Sequence, residues 1–210
     1  MAQDQSITEK KILGLSRVGI YAGVFNPVHA GHVTFALQAM EQAGLDKLYF
    51  LPERQPRHKP GVEHFAHRVA MLKRAARPHP QFDVLELPDI NFSVQRTLPR
   101  LQKLFPGSQL VFLFGSDAIT NLPQWPHAAR LLQRCELVVG LRTEAEHLKV
   151  LEAITNWPVQ PKALLVFPSY APDVSSGKIR DALRRRQSVK GILKSVERYS
   201  DHHWLYVSLS

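Results

Sequence analysis

The sequence predicts an α/β fold in three layers, with helices on both faces of a mainly parallel sheet, and three observations point there. Short, nearly continuous apolar runs recur along the 210 residues. Segments whose apolar residues repeat at helical spacing lie between them. Several runs end at a glycine, proline or arginine corner: Gly23, Gly115, Arg142 and Pro168. Strands that are apolar on both faces and alternate with helices belong to a parallel sheet covered on each side, a Rossmann-like arrangement. Ligands of such sheets bind at the carboxyl ends of the strands.

The elements follow in order. Residues 1–16 are polar with a weak apolar end and read as a mobile or loosely docked N-terminal tail, leaving 17–210 as a single domain. Val18 to Ala22 is rich in β-branched and aromatic residues, as a buried strand is. Gly23 then allows a sharp turn close to a ligand, Asn26-Pro27 breaks the extended run, and Val33, Leu37, Met40 and Ala43 mark a helix. Lys47 to Leu51 is a second strand, followed by a basic, proline-rich loop from Pro52 to Pro60 holding Arg54, Arg57, His58 and Lys59. The pattern predicts helices over Val62 to Ala76 and Val94 to Leu104, with a short strand at Phe82 to Leu85 between them. Leu110 to Phe114 is the most hydrophobic strand and runs into Gly115-Ser116-Asp117, a second glycine corner. Arg130 to Gln133 precedes a strand at Leu137 to Leu141. A helix at Glu144 to Thr155, a strand at Ala163 to Phe167 and a helix at Ser175 to Arg186 complete the series.

Composition narrows the classes of function. The chain is 44% hydrophobic and 21% charged, ordinary for a globular protein. No apolar run approaches the length of a membrane-spanning helix, and the N-terminus lacks the apolar core of a signal peptide, so a cytoplasmic location is expected. The single cysteine, Cys135, excludes an intramolecular disulfide and reads as a buried thiol. A formal charge of +9 invites a nucleic-acid reading, but apart from Arg184-Arg185-Arg186 the cations are dispersed and no nucleic-acid module is present. Small phosphorylated substrates are the better match. A homo-oligomer stays open.

The chemistry concentrates in two places. His29 and His32, three apart at a helix start, share a face beside free amide N–H groups and the positive end of the helix dipole, a corner suited to phosphate. Two imidazoles there can donate hydrogen bonds to charge developing on a phosphoryl group in transit. Ser175-Ser176-Gly177-Lys178-Ile179-Arg180 sets two hydroxyls and a guanidinium around a second helix start. It is suited to a triphosphate, although Ser-Ser before a helix is usually only a cap. Metal is not expected as a protein-held ion. Cys135 and His202-His203 are too scattered to complete a zinc set. The first corner offers no carboxylate to fix Mg²⁺, which would arrive bound to the nucleotide.

Taken together, the stretch Gly23-Val24-Phe25-Asn26-Pro27-Val28-His29-Ala30-Gly31-His32 resembles the G-x-F-N-P-x-H-x-G-H signature of the nucleotidylyltransferase superfamily. The remainder resembles the nicotinate-nucleotide adenylyltransferase family over about residues 17–206. His58-Lys59 is similar to that family's P-P-H-K loop, Gly115-Ser116-Asp117 to its G-A-D, Leu122-Pro123-Gln124-Trp125 to its L-P-T-W, and Val174 to Arg180 to its I-S-S-T-x-I-R. The segment from Ser188 to Tyr206 resembles its C-terminal end. The resemblance implies adenylyl transfer from ATP to nicotinate mononucleotide in NAD biosynthesis, with His29, His32 and Arg180 catalytic. It implies Gly23, Val24, Phe25, Gly115, Asp117, Ser175, Ser176 and Ile179 at ATP. It also implies Asn26, Lys59, Thr97, Trp125 and Arg142 at the acceptor. Singly, Trp125 reads equally as core, Asp117 as a helix cap and Arg142 as half of a surface ion pair. The chain departs from the family at Ala22 and Val24, at Gly177 in place of threonine, and at Arg96 where aspartate is usual in the stretch Ser93 to Leu98. That last change leaves other acceptors open, nicotinamide mononucleotide or phosphopantetheine, and also a nucleotide-binding regulator without turnover.

Overall fold

A computed structural model describes residues 14–56, 61–143, 145–170 and 173–207. Its sheet is made of β1 (Arg17–Gly23), β2 (Lys47–Pro52), β3 (Phe82–Val84), β4 (Gln109–Gly115), β5 (Glu136–Leu141) and β6 (Ala163–Pro168). They lie in the order β3-β2-β1-β4-β5-β6, and every pairing is parallel. The order reverses between β1 and β4, and at such a point the loops leaving neighbouring strands diverge and open a crevice.

The helices are α1 (Ala30–Gln42), α2 (Phe65–Ala76), α3 (Thr97–Leu104), the single turn α4 (Ser116–Ile119), α5 (Ala128–Arg134), α6 (Ala145–Thr155), α7 (Ser176–Arg184) and α8 (Lys194–His202). Side-chain alternation along the strands sorts the core into two layers. Val18, Ile20, Tyr49, Leu51, Phe112, Phe114, Leu137 and Val139 face α3, α5 and α6. Leu48, Phe50, Val111, Leu113 and Val138 face α1, α2 and α8. Both faces are covered, as the apolar runs required.

Several boundaries differ from those read in the sequence. The third helix begins at Thr97 rather than Val94, because Pro99 lacks the N–H that a longer helix would need there and its ring would strike the carbonyl four residues back. The second helix begins at Phe65 rather than Val62. Ser16, placed in the tail, is fixed: its N–H donates to Asp46 Oδ2 at 2.6 Å, and the preceding carbonyl of Leu15 accepts from Ser108 Oγ at 2.7 Å. Residues 1–13 lie outside the described residues. Helix α8 is not announced by an apolar pattern. Its sequence is almost entirely polar, and of its residues only Val196 and Ser200 are buried.

Candidate active site

The first corner is packed from both sides. Phe25 adopts a left-handed backbone conformation, φ 51°, which a bulky residue occupies only when its surroundings hold it. Its ring is wedged against Tyr21 and Phe50 at centroid distances of 5.4 and 5.6 Å and against His32 at 5.1 Å. Gly23, expected to supply backbone freedom, supplies room instead. A Cβ there would come within 3.0 Å of the Phe25 ring, and Gly23 does not line the cavity described below.

His29 caps α1 and His32 sits in its first turn, with ring centroids 3.7 Å apart. The backbone N–H of His29 donates to Nδ1 of His32 at 3.2 Å. Nδ1 is therefore the acceptor, and in the neutral ring the proton is on Nε2. Both rings are held neutral. Burial, then the Arg142 cation, lowers His29 to about 4, and burial followed by His29 itself pushes His32 well below the ordinary imidazole range. His29 Nδ1 is buried and has no hydrogen-bond partner among the described residues beyond its place in the capping box with His32. The helix start is less free than the spacing implied, since Ala30 N–H is taken by the Gly191 carbonyl at 2.8 Å.

The second helix start is sutured to the first corner. Ser175 caps α7, accepting from Lys178 N–H at 3.3 Å. Ser176 Oγ donates to the Pro27 carbonyl at 2.9 Å, and Arg180 Nη1 donates to the Asn26 carbonyl at 2.7 Å. The Ser176 proton is thus committed to the protein. The donors left to face a ligand are the remaining N–H groups of Arg180 and the first amides of α7. Both corners open on one cavity of about 600 Å³, lined by Val24, Phe25, Asn26, His29, His32, Gly115, Arg142, Ser175, Ser176, Gly177 and Arg180 among others. Among the described residues that line it there is no carboxylate.

Other expected residues are not brought there. Ile179 is fully buried and anchors α7. Thr97 is 1% exposed, with its hydroxyl accepting from Ser93 N–H at 3.0 Å. Trp125 packs on Phe92 and Phe114, both at 5.9 Å, on the α3 side of the sheet. Asp117 is exposed and pairs with Arg142 at 2.5 Å. Asn26 is at the cavity, but its Oδ1 already accepts from Tyr206 Oη at 2.8 Å and from Glu63 N–H at 3.2 Å. Arg96 is exposed on the surface. Lys59 and His58 lie outside the described residues.

Sequence reasoning missed three groups that shape the site. Arg68, 1% exposed, donates to the carbonyls of Glu63, Val24, Glu53 and Arg54 at 2.7–2.9 Å. Gln38 clamps the end of β6, with Nε2 donating to the Pro168 carbonyl and Oε1 accepting from Tyr170 N–H, each at 3.1 Å. Tyr206 braces Asn26 as above. A charged or amide residue within an otherwise apolar helical stripe, as Arg68 and Gln38 are, was the available signal. Nothing local distinguished Tyr206.

The Cytidylyltransferase-like family matches residues 20–182. The nicotinate-nucleotide adenylyltransferase of Bacillus subtilis (strain 168) is 30% identical over 203 residues, covering 92% of this chain and 100% of that protein. A protein of Synechococcus sp. (strain JA-3-3Ab), described as a probable nicotinate-nucleotide adenylyltransferase, is 33% identical over 201 residues, covering 91% of this chain and 95% of its own. Among solved structures, the nicotinic acid mononucleotide adenylyltransferase of Plasmodium falciparum complexed with NaAD superposes with a TM-score of 0.76 at 17% identity. That match covers 93% of this chain and 100% of the other, and the likeness is one of fold. With its signature corner, its sutured second helix and these matches along nearly its whole length, the chain belongs to the nicotinate-nucleotide adenylyltransferase family of cytidylyltransferase-like proteins.

Proposed function

We propose that the protein transfers the adenylyl group of ATP to nicotinate mononucleotide, forming deamido-NAD and pyrophosphate in NAD biosynthesis. The observation that carries this reading is the convergence of His29, His32, Arg180 and the start of α7 on one cavity, with no carboxylate among its described lining residues. An oxygen of the acceptor's phosphate attacks the α-phosphorus of ATP. The bond from that phosphorus to the bridging oxygen breaks, and pyrophosphate leaves with its electron pair. The attacking phosphate is already an anion at neutral pH and needs no general base. Catalysis then rests on alignment and on donors aimed at the reacting oxygens.

The geometry supports the following roles. His32 offers Nε2–H, the tautomer set by His29 N–H. Arg180 and the first amides of α7 take the β- and γ-phosphates, while Ser176 ties that helix to the corner. Gly115 and Arg142, both exposed, line the same cavity, Gly115 toward ATP and Arg142 toward the acceptor on this reading. Among the described lining residues none carries a carboxylate that would anchor Mg²⁺ without the nucleotide. Mg²⁺ enters as part of the Mg-ATP substrate.

Pyrophosphate release is the test, measured with Mg-ATP and nicotinate mononucleotide, with nicotinamide mononucleotide, and with no acceptor. Release that depends on the acceptor and favours the acid is expected. No release with either mononucleotide would overturn the assignment.

A further inference from the structure

We infer that Arg68 is a positioning residue, which turns the Val24–Phe25 peptide so that its N–H faces the triphosphate. The proposal rests on the adenylyl-transfer reading only in taking ATP as the ligand. Arg68 is a cation in the core, 1% exposed, and none of the ion pairs among the described residues includes it. The Glu53 carboxylate favours its charge from nearby, but a buried cation without a direct ion pair is costly unless hydrogen bonds replace its hydration. Here backbone carbonyls do so, drawn from three separate segments: Val24 in the first corner, Glu53 and Arg54 after β2, and Glu63 before α2.

The contact with Val24 has a directional consequence. Its carbonyl accepts from Arg68 Nη1 at 2.8 Å. In a trans peptide the C=O and the N–H point to opposite sides, so fixing this carbonyl behind the corner turns Phe25 N–H to the other side, where Val24 and Phe25 line the cavity. The same guanidinium holds both stems of the basic loop, at residues 53–54 and 63. It therefore sets the corner and the loop's attachment points in one frame. Lysine cannot do this, because a single ammonium lacks the planar fork that reaches several acceptors at once.

The test combines Arg68→Lys with the ¹⁵N–¹H signal of Phe25. In the wild type, Mg-ATP should move the Phe25 amide proton downfield, as an amide does on donating to an anion. In Arg68→Lys that shift should be lost and kcat should fall roughly 10- to 100-fold, the scale of a misplacement near 1 Å. The acceptor KM should rise as well, because Arg68 also holds the stems of the loop that carries Lys59, so the Phe25 shift and kcat carry the test. Arg68→Lys that is merely less heat-stable, with the shift and kcat retained, overturns the proposal. So does a wild-type Phe25 signal that stays put while Mg-ATP binds, and this arm decides even where the variant fails to fold. Binding of Mg-ATP without pyrophosphate release overturns the transfer reading alone, whereas no binding of Mg-ATP overturns both.

Discussion

The corners after β1 and β4 stand at the two sides of the same crevice, yet they are built in opposite ways. In the first, Phe25 is held at an unfavourable φ by three rings, the Val24 carbonyl is fixed by Arg68, and the carbonyls of Asn26 and Pro27 are taken by Arg180 and Ser176. In the second, Gly115 is exposed with nothing near it, and Asp117 meets Arg142 in an ion pair open to solvent. Such a pair is worth little and rearranges readily. Phosphoryl transfer demands placement within fractions of an ångström, which only an over-determined backbone provides. Accommodating an acceptor demands movement. On the proposed reading the first corner carries the chemistry and the second adapts to a substrate. Breaking that contrast most severely, His32→Ala should lower kcat by about 10² to 10³, the scale for removing one donor aimed at transition-state charge. Mg-ATP affinity should change far less, and a variant with undiminished turnover would remove the mechanism.

The histidine pair also links the first corner to pH. His29 is lowered to about 4 in the fold from an ordinary value near 6.5 when unfolded. Between those values the unfolded chain binds a proton that the folded one does not. The stability contributed by the neutral ring is complete above about pH 6.5 and is lost as the pH falls toward 4. For His29 this amounts to roughly 3 kcal/mol, and His32 acts in the same direction. Denaturant unfolding at pH 7 and at pH 4.5 should show the loss, and His29→Asn should flatten it. Mg-ATP should also reduce it, because a polyanion against the rings favours their protonated form. An unchanged slope in His29→Asn would mean that other groups dominate the acid transition.

The same contrast explains what the sequence disclosed. The strands were visible as apolar runs because a sheet buried on both faces needs them. The histidine pair and the serine–arginine helix start were visible because short-range spacing sets which face a residue occupies. Long-range ties were not. Tyr206 reaches Asn26 across 180 positions, and Ser176 reaches Pro27 across 149. Neither bond leaves a local pattern. Arg68 stands out within an apolar helical stripe, but only the fold shows that its acceptors are carbonyls turned inward. Of the expected acceptor residues, Thr97 and Trp125 belong to the packing of the opposite layer. A threonine before a helix and a tryptophan after a proline carry the same residue signal whether they bind a ring or fill a core.

The two corner glycines give the mildest and most discriminating test. Gly23→Ala places a methyl group within 3.0–3.3 Å of three Phe25 ring atoms, and that ring is jammed against Tyr21, Phe50 and His32. Held by three rings, it yields only at a cost. The variant should lose roughly 1–2 kcal/mol of stability, as overpacked cores do, and turnover should fall with it because the ring bears on His32. Gly115→Ala meets nothing within 4 Å and has φ −80° and ψ 162°, which any residue adopts. Alanine there restricts the unfolded chain, so stability should hold or rise by about 0.5 kcal/mol. The added methyl nevertheless projects at the edge of the cavity, and KM for a substrate should rise about tenfold, the equivalent of about 1.4 kcal/mol. Opposite signs in thermal stability, with both variants impaired in assay, would establish that one glycine makes room for the protein and the other for its ligand. Equal destabilisation would show the second corner to be as tightly built as the first.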